Sequence, residues 1–203
     1  MMYRILALFS TALLTSCATP SRQDSSLSYE PSLLIAKELR LPAETNYLSL
    51  DLNFQSFDHL RKELEGKLGT TLKHRGEAHI TVITPPEANA LAKKLPMDRI
   101  LKIAESMDLK NTPYRPLCVG KGELSANGKV MQTYFVVIES EGLFKVRHKI
   151  YEEYLKKGGK KEAFDPELFY PHVTLGFTDR DLHYEEGVIK GASSCLYNLK
   201  PQP

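Results

Sequence analysis

Polar and hydrophobic residues alternate along two segments that predict β-strands, and both segments carry a histidine and a threonine. In HITVI, His79 and Thr81 alternate with aliphatic residues, and in PHVTLGF, His172 and Thr174 do the same. Side chains two positions apart in a strand point to the same face. Each predicted strand therefore has one apolar face for the core and one face that carries a histidine and a hydroxyl.

The pattern before and after the first histidine segment predicts a strand, a helix and a second strand. NYLSLDLNF alternates like a half-buried strand, and FDHLRKELEGKL has the apolar stripe of a helix. Ser56 is placed to cap this helix and Gly69 to end it. Two further helices are expected in EANALAKKL and DRILKIAESM, with Asp98 as the cap of the second.

The second half repeats this order. A hairpin is predicted around Asn127 and Gly128, and its second arm leads to a helix that begins at Ser140 and ends at Gly158. The second histidine strand follows, and DLHYEEGVIKG is a weaker strand candidate that crosses back to the first sheet. We therefore predict an α+β fold of two similar lobes, with mostly antiparallel sheets and helices on their outer faces. The two polar strand faces are then free to line a central cleft.

Composition fits an ordinary globular domain and excludes some partners. The chain has 203 residues, of which 42% are hydrophobic and 26% charged. A net charge of +2 and a pI near 8.3 do not indicate a general nucleic-acid coat or a polybasic membrane patch. A small anionic ligand is compatible with this charge.

The N-terminus has the pattern of an export signal. Arg4 precedes an apolar run, and LLTSC resembles the lipobox of bacterial lipoproteins, which implies lipidation of Cys17. A plain secretory signal or an unprocessed anchor is the alternative. We expect a signal over residues 1–17, a flexible tether over 18–31 and a single domain over 32–203. This organisation predicts a lipid-anchored, periplasmic protein of the bacterial cell envelope, and Ala18 favours the outer membrane.

Two cysteines remain after such processing. In an exported protein Cys118 and Cys195 can pair, but two separate buried thiols fit the sequence equally well. Neither cysteine has the spacing of a metal site.

The segments AHITVI and PHVTLGF resemble the paired His-x-Thr/Ser motifs of the 2H phosphoesterase superfamily, over about residues 45 to 190. This superfamily includes 2′,3′-cyclic phosphodiesterases and RNA 2′,5′-ligase-like enzymes, and EAHITVITPPE is most similar to its Swiss-army-knife RNA-repair clade. The resemblance implies a bilobal, pseudo-two-fold fold with a cleft that needs no metal or other cofactor. It also implies His79 and His172 as general acid and base, and Thr81 and Thr174 as phosphate-binding residues.

Imidazole titrates near neutrality and can therefore give or take the proton that opening of a cyclic phosphate requires. The expected activity is a metal-independent hydrolysis of a 2′,3′-cyclic phosphate or a related nucleotide or short RNA phosphodiester, by a monomer. The alternative is an envelope lipoprotein that binds nucleotides in the same cleft without turnover. The sequence leaves open which histidine is the general acid.

Other residues have weaker signals. Lys121, Tyr134 and Tyr170 are candidate substrate contacts, although each also fits a solvated or core position. The segment KHRG at residues 73–76 is a candidate for attracting an anion. The remaining histidines lack a Thr or Ser partner and are expected at the surface; they are His59, His74, His148 and His183. Metal binding by the two motif histidines has no convincing third ligand.

Overall fold

The computed structural model describes residues 26–41 and 46–202, which form eight strands and four α-helices. The predicted signal and its cysteine lie outside the described residues. The strands are β1 Ser26–Tyr29, β2 Ala36–Arg40, β3 Leu48–Leu52, β4 His79–Ile83, β5 Arg115–Ala126, β6 Lys129–Glu139, β7 His172–Phe177 and β8 Cys195–Pro201. The helices are α1 Phe54–Leu68, α2 Pro85–Leu91, α3 Met97–Ser106 and α4 Glu141–Lys156.

The strands form two sheets, one in each lobe. The smaller sheet has the order β2-β3-β4, and the larger one has the order β1-β8-β5-β6-β7. All pairings are antiparallel except that of β1 with β8. The two histidine strands, β4 and β7, are each the edge strand of their own sheet, and they contact each other. The predicted bilobal α+β fold is confirmed.

The two lobes repeat one order of elements. In each lobe a strand, a helix and an adjacent antiparallel strand follow one another, as β3, α1 and β4 in one and β6, α4 and β7 in the other. Helix α1 contacts β7, and α4 contacts β4, so each helix crosses to the histidine strand of the other lobe. The apolar faces of both strands are buried in one shared core, through Ile80, Val82, Val173 and Leu175.

Helix ends follow local capping chemistry, with two differences from the prediction. Gly69 ends α1 with a φ of 65°, and the Ser140 hydroxyl accepts a hydrogen bond from an amide in the first turn of α4, both as predicted. The predicted cap Ser56 is wrong, because the Asn53 side chain accepts the capping bond and Ser56 is buried one turn further on. Asp98 lies in the first turn of α3, whose cap position is Pro96.

The predicted tether is wrong for residues 26–31. Residues 26–29 are β1, which pairs with the C-terminal strand, and Pro31–Leu34 form a 3-10 turn. Leu27 is buried in the core, and the Glu63 carboxylate of α1 accepts hydrogen bonds from the Ser28 amide and hydroxyl. The domain therefore begins at least as early as residue 26. The segment DLHYEEGVIKG is also not a strand; it forms a loop with a short 3-10 turn at Tyr184–Glu186.

Cys118 in β5 and Cys195 at the start of β8 form a disulfide, with Cα atoms 5.6 Å apart. This resolves the open question of their pairing. The helices of the described ranges include none that is both long and apolar enough to cross a membrane.

Candidate active site

A cleft of about 700 Å³ lies between the two histidine strands. Its walls include His79 and Thr81 from β4 and His172 and Thr174 from β7. The two motifs are thus brought together, because their strands are the neighbouring edges of the two sheets. A volume of this size is typical of small-ligand sites.

His79 is backed by carboxylates. Its Nδ1 atom is buried without a hydrogen-bond partner among the described residues and lies 3.6 Å from Glu77 Oε1. Arg40 donates to Glu77 at 2.8 Å and lies 3.0 Å from Asp51, the residue paired with His79 across β3 and β4. Burial lowers the pKa of His79, while Glu77 and Asp51 act to raise it. Two carboxylates and one guanidinium leave this side of the cleft with one net negative charge.

His172 has the opposite electrostatic setting. Its Nδ1 lies 2.7 Å from the Tyr170 carbonyl oxygen, which can only accept, so Nδ1 carries the proton. The neutral ring then has its lone pair on Nε2. Burial and the nearby Lys190 ammonium lower the pKa of His172 to about 3. The ring of Phe135 contacts His172 edge-on, with ring centroids 5.8 Å apart.

Thr174 belongs to a buried polar cluster. Its hydroxyl lies 3.2 Å from Asp181 Oδ2 and 3.5 Å from Lys190 Nζ. Asp181 Oδ1 accepts from Lys190 and from the Thr133 hydroxyl, each at 2.8 Å. Burial acts against ionisation of Asp181, but the Lys190 charge together with the hydrogen bonds from Lys190 and Thr133 outweighs it and lowers the pKa of Asp181 to about 2. The carboxylate is therefore ionised at neutral pH and holds the ammonium in place.

Arg75 adds a second cation to this wall. Its guanidinium lies 3.5 Å from Asp181 Oδ2 and is about half exposed, and it lines the cleft. It belongs to the KHRG segment that was a candidate for attracting an anion. His74 and His183 are exposed as predicted, but they also line the cleft.

Of the three candidate substrate contacts, the structure places only Tyr170 in the cleft. Tyr170 stacks on Tyr184 with ring centroids 5.8 Å apart, and it also lines a neighbouring cavity of about 720 Å³. Tyr134 belongs to the main core, and Lys121 is its cross-strand partner and pairs with Glu123. Neither lines the cleft, so their assignment as substrate contacts is corrected.

A buried arginine contacts two residues that line the cleft. Arg147 of α4 is fully buried, and it donates to Glu87 at 2.7 Å and to the Val82 carbonyl at 2.8 Å. Its guanidinium also lies over the rings of Phe164 and Phe169. Glu87 and Phe169 line the cleft, so Arg147 fixes the loop before β7 against the helix that follows β4.

Within the described ranges, no three or more His, Cys, Asp and Glu side chains are grouped as in a metal site. Independence from metal stays a prediction, since the activity has to be measured to test it.

The family assignment rests on one comparison. A family model described as Swiss Army Knife, 2H phosphoesterase domain matches residues 46–183, more than half of the chain. No curated protein and no solved structure matches the chain. The matched span contains both histidine strands and the cleft that they form. The chain therefore belongs to the Swiss Army Knife family of 2H phosphoesterase domains and is a hydrolase of the phosphoesterase type.

Proposed function

We propose that this domain hydrolyses a 2′,3′-cyclic phosphate, or a related nucleotide or RNA phosphodiester, with His79 and His172 as its proton-transferring groups. The observation that carries the proposal is the placement of two His-x-Thr pairs on the two strands that border one cleft. In the reaction, water attacks phosphorus and the bond from phosphorus to a ribose oxygen breaks. One group takes the proton of the water, and the other gives a proton to the ribose oxygen.

The charges on the two walls of the cleft suggest which histidine is the general acid and which is the general base. Burial and Lys190 favour the neutral form of His172, and the Tyr170 carbonyl fixes the ring proton on Nδ1 and leaves the lone pair on Nε2, so we assign His172 as the general base. Burial lowers the pKa of His79, but the carboxylates behind it favour its protonated form, so His79 is assigned as the general acid. A bound anionic phosphate between them raises the pKa of both rings and supplies the protonated state that the acid needs.

The cleft is large enough for a nucleotide, and the neighbouring cavity extends it. The two cavities share Phe169, Tyr170 and Lys190. Stacked aromatic side chains such as Tyr170 and Tyr184 suit a nucleobase, because base–aromatic stacking tolerates any base. A second nucleotide beyond the scissile phosphate then has room, which favours short oligonucleotides as substrates.

We also propose that the protein acts in the bacterial cell envelope, lipidated at Cys17. The disulfide between Cys118 and Cys195 supports this location, because disulfides persist in exported proteins and are rare in the cytosol.

The test uses the purified domain incubated in EDTA with the four 2′,3′-cyclic nucleotides and with short RNAs that end in a cyclic phosphate. Chromatography separates the 2′- and 3′-phosphate products. We expect turnover in the wild type and a loss of about 10²- to 10⁴-fold in His79→Ala and in His172→Ala, as for removal of a positioned acid or base. His59→Ala is the matched control, because His59 is exposed on α1 and pairs with Glu30.

The two histidines are distinguished by a substrate with an activated leaving group. In a nitrophenyl phosphodiester the bond from phosphorus to the aryl oxygen breaks and nitrophenolate leaves as an anion without protonation, so this substrate should restore most of the rate to His79→Ala and none to His172→Ala. Equal restoration in both variants would refute the role assignment. Nucleotide binding without turnover in the wild type would refute the hydrolase and favour the non-catalytic alternative.

A further inference from the structure

We infer that Lys190 is a further catalytic residue, which binds a non-bridging oxygen of the substrate phosphate beside Thr174. This inference rests on the proposed function, since it names the group that holds the same substrate. Lys190 lies outside both His-x-Thr motifs and outside the span of the family match.

Lys190 is held at the point where a phosphate would meet Thr174. Its side chain is 4% exposed, yet it lines both the cleft and the neighbouring cavity. Its Nζ lies 3.5 Å from the Thr174 hydroxyl and 2.8 Å from Asp181. An ammonium group has three donors, and these two are the acceptors it contacts in the described part of the chain. Nζ also lies 5.6 Å from the centroid of the Phe135 ring, and one donor is left without a hydrogen-bond acceptor in the described residues and is available to a ligand.

Lys190 and its nearest ionic neighbours carry a net positive charge. Lys190 and Arg75 are two cations, and Asp181 is the carboxylate that contacts both. Elsewhere on the cleft wall, Glu87 pairs with Arg147, and on the His79 side Glu77 and Asp51 share Arg40. One positive charge is thus left at Lys190 and Arg75, which equals the single negative charge of a phosphodiester.

Asp181 is a positioning residue in this scheme. It gathers donors from Thr133, Thr174, Lys190 and Arg75, and so orients the groups that a phosphate requires. When a phosphate enters, the Thr174 hydroxyl can turn from Asp181 to the ligand, while Thr133 and Lys190 continue to hold the carboxylate. In a site with little water, the hydrogen bond from a charged donor becomes stronger as negative charge moves onto the phosphate oxygens.

The first experiment measures binding, so that it does not depend on turnover. Titration calorimetry with inorganic phosphate and with a nucleoside 3′-monophosphate compares the wild type with Lys190→Met, which keeps the aliphatic stem and removes the charge. We expect affinity to fall about ten- to a hundredfold, as for loss of one charge-assisted hydrogen bond. Lys121→Met is the matched control, because Lys121 does not line the cleft. The affinity of this variant for phosphate should equal that of the wild type.

Wild-type affinity in Lys190→Met, or an equal loss in Lys121→Met, would overturn the inference. Because Lys190→Met leaves Asp181 buried with Arg75 alone, its fold is checked against Asp181→Asn/Lys190→Met, which removes the charge pair together. If the single variant does not fold, the double variant is titrated against Asp181→Asn, which keeps Lys190, and equal phosphate affinity in these two variants overturns the inference.

A second readout separates contact with phosphate from support of the fold. The two diastereomers of a 2′,3′-cyclic phosphorothioate place sulfur on one or the other non-bridging position. If Lys190 contacts one oxygen, the ratio of kcat/KM for the two diastereomers shifts by about tenfold in Lys190→Met. An unchanged ratio with a uniformly lower rate assigns Lys190 a structural role and overturns the inference. A wild type that binds phosphate through Lys190 but hydrolyses no diester refutes the proposed function alone.

Discussion

Loss of the disulfide between Cys118 and Cys195 is expected to lower the free energy of unfolding substantially. The two cysteines are 77 residues apart, and the chain-entropy relation gives about 4.5 kcal/mol for a loop of that length at 25 °C. For a domain of this size, that change lowers Tm by about 9 to 18 °C. The stabilisation acts on the unfolded chain, so the m value should rise when the cross-link is removed.

Urea denaturation of the wild type with and without reductant measures this difference without changing a side chain. Cys118→Ala/Cys195→Ala should unfold like the reduced wild type, apart from a small packing loss at the buried Cys118 site. The same variant should not respond to reductant. Identical midpoints for oxidised and reduced wild type would refute the reasoning. Because the bond joins β5 and β8, and His172 is in β7, the reduced protein should retain its turnover wherever it remains folded.

Three further outcomes are expected. Arg147→Met should lower the free energy of unfolding by about 3 to 5 kcal/mol, because it leaves Glu87 without its cation. Urea denaturation of Arg147→Met/Glu87→Gln should show that part of this loss is recovered. Equal instability of the two variants would contradict the role of the ion pair. The free energy of unfolding should fall as the pH drops from about 6.5 towards about 3, because His172 binds a proton in the unfolded chain at a higher pH than in the folded one. The slope from this one group is at most about 1.4 kcal/mol per pH unit, and it should be smaller in His172→Asn. An unchanged slope in that variant would contradict the lowered pKa of His172. Tyr170→Ala should raise KM for a nucleotide substrate by about five- to a hundredfold, because stacking on the nucleobase is lost, while kcat changes little. A fall in kcat with an unchanged KM would place Tyr170 outside the base-binding surface.

Local patterns predicted the elements that carry the motifs. Alternation identified β4 and β7, the Asn127-Gly128 turn located the hairpin of β5 and β6, and the apolar stripes located α1 and α4. These signals lie within a few residues of the element that they describe. The pairing of the two histidines in one cleft followed from the repeated motif, because a polar strand face repeated in each lobe needs a common space.

The groups that complete the site depend on contacts between distant segments. Arg40 reaches His79 through Glu77 and Asp51, and Lys190 reaches Thr174 from a loop that the sequence presented as a weak strand. A lone lysine or arginine in a sequence carries no sign of the carboxylate that it will meet. The same holds for β1, whose polar-looking segment is ordered by a parallel partner near the other end of the chain.

The strand order of the larger sheet separates the start of the described domain from the histidine strand β7. β1 is one edge of this sheet and β7 is the other, four strand intervals away, which is about 19 Å at the usual strand spacing. Ser26, the first described residue of β1, therefore lies at the edge of this sheet opposite the histidine strand β7. The lipid anchor proposed at Cys17 would therefore attach at the edge of the larger sheet opposite β7, the strand that borders the cleft.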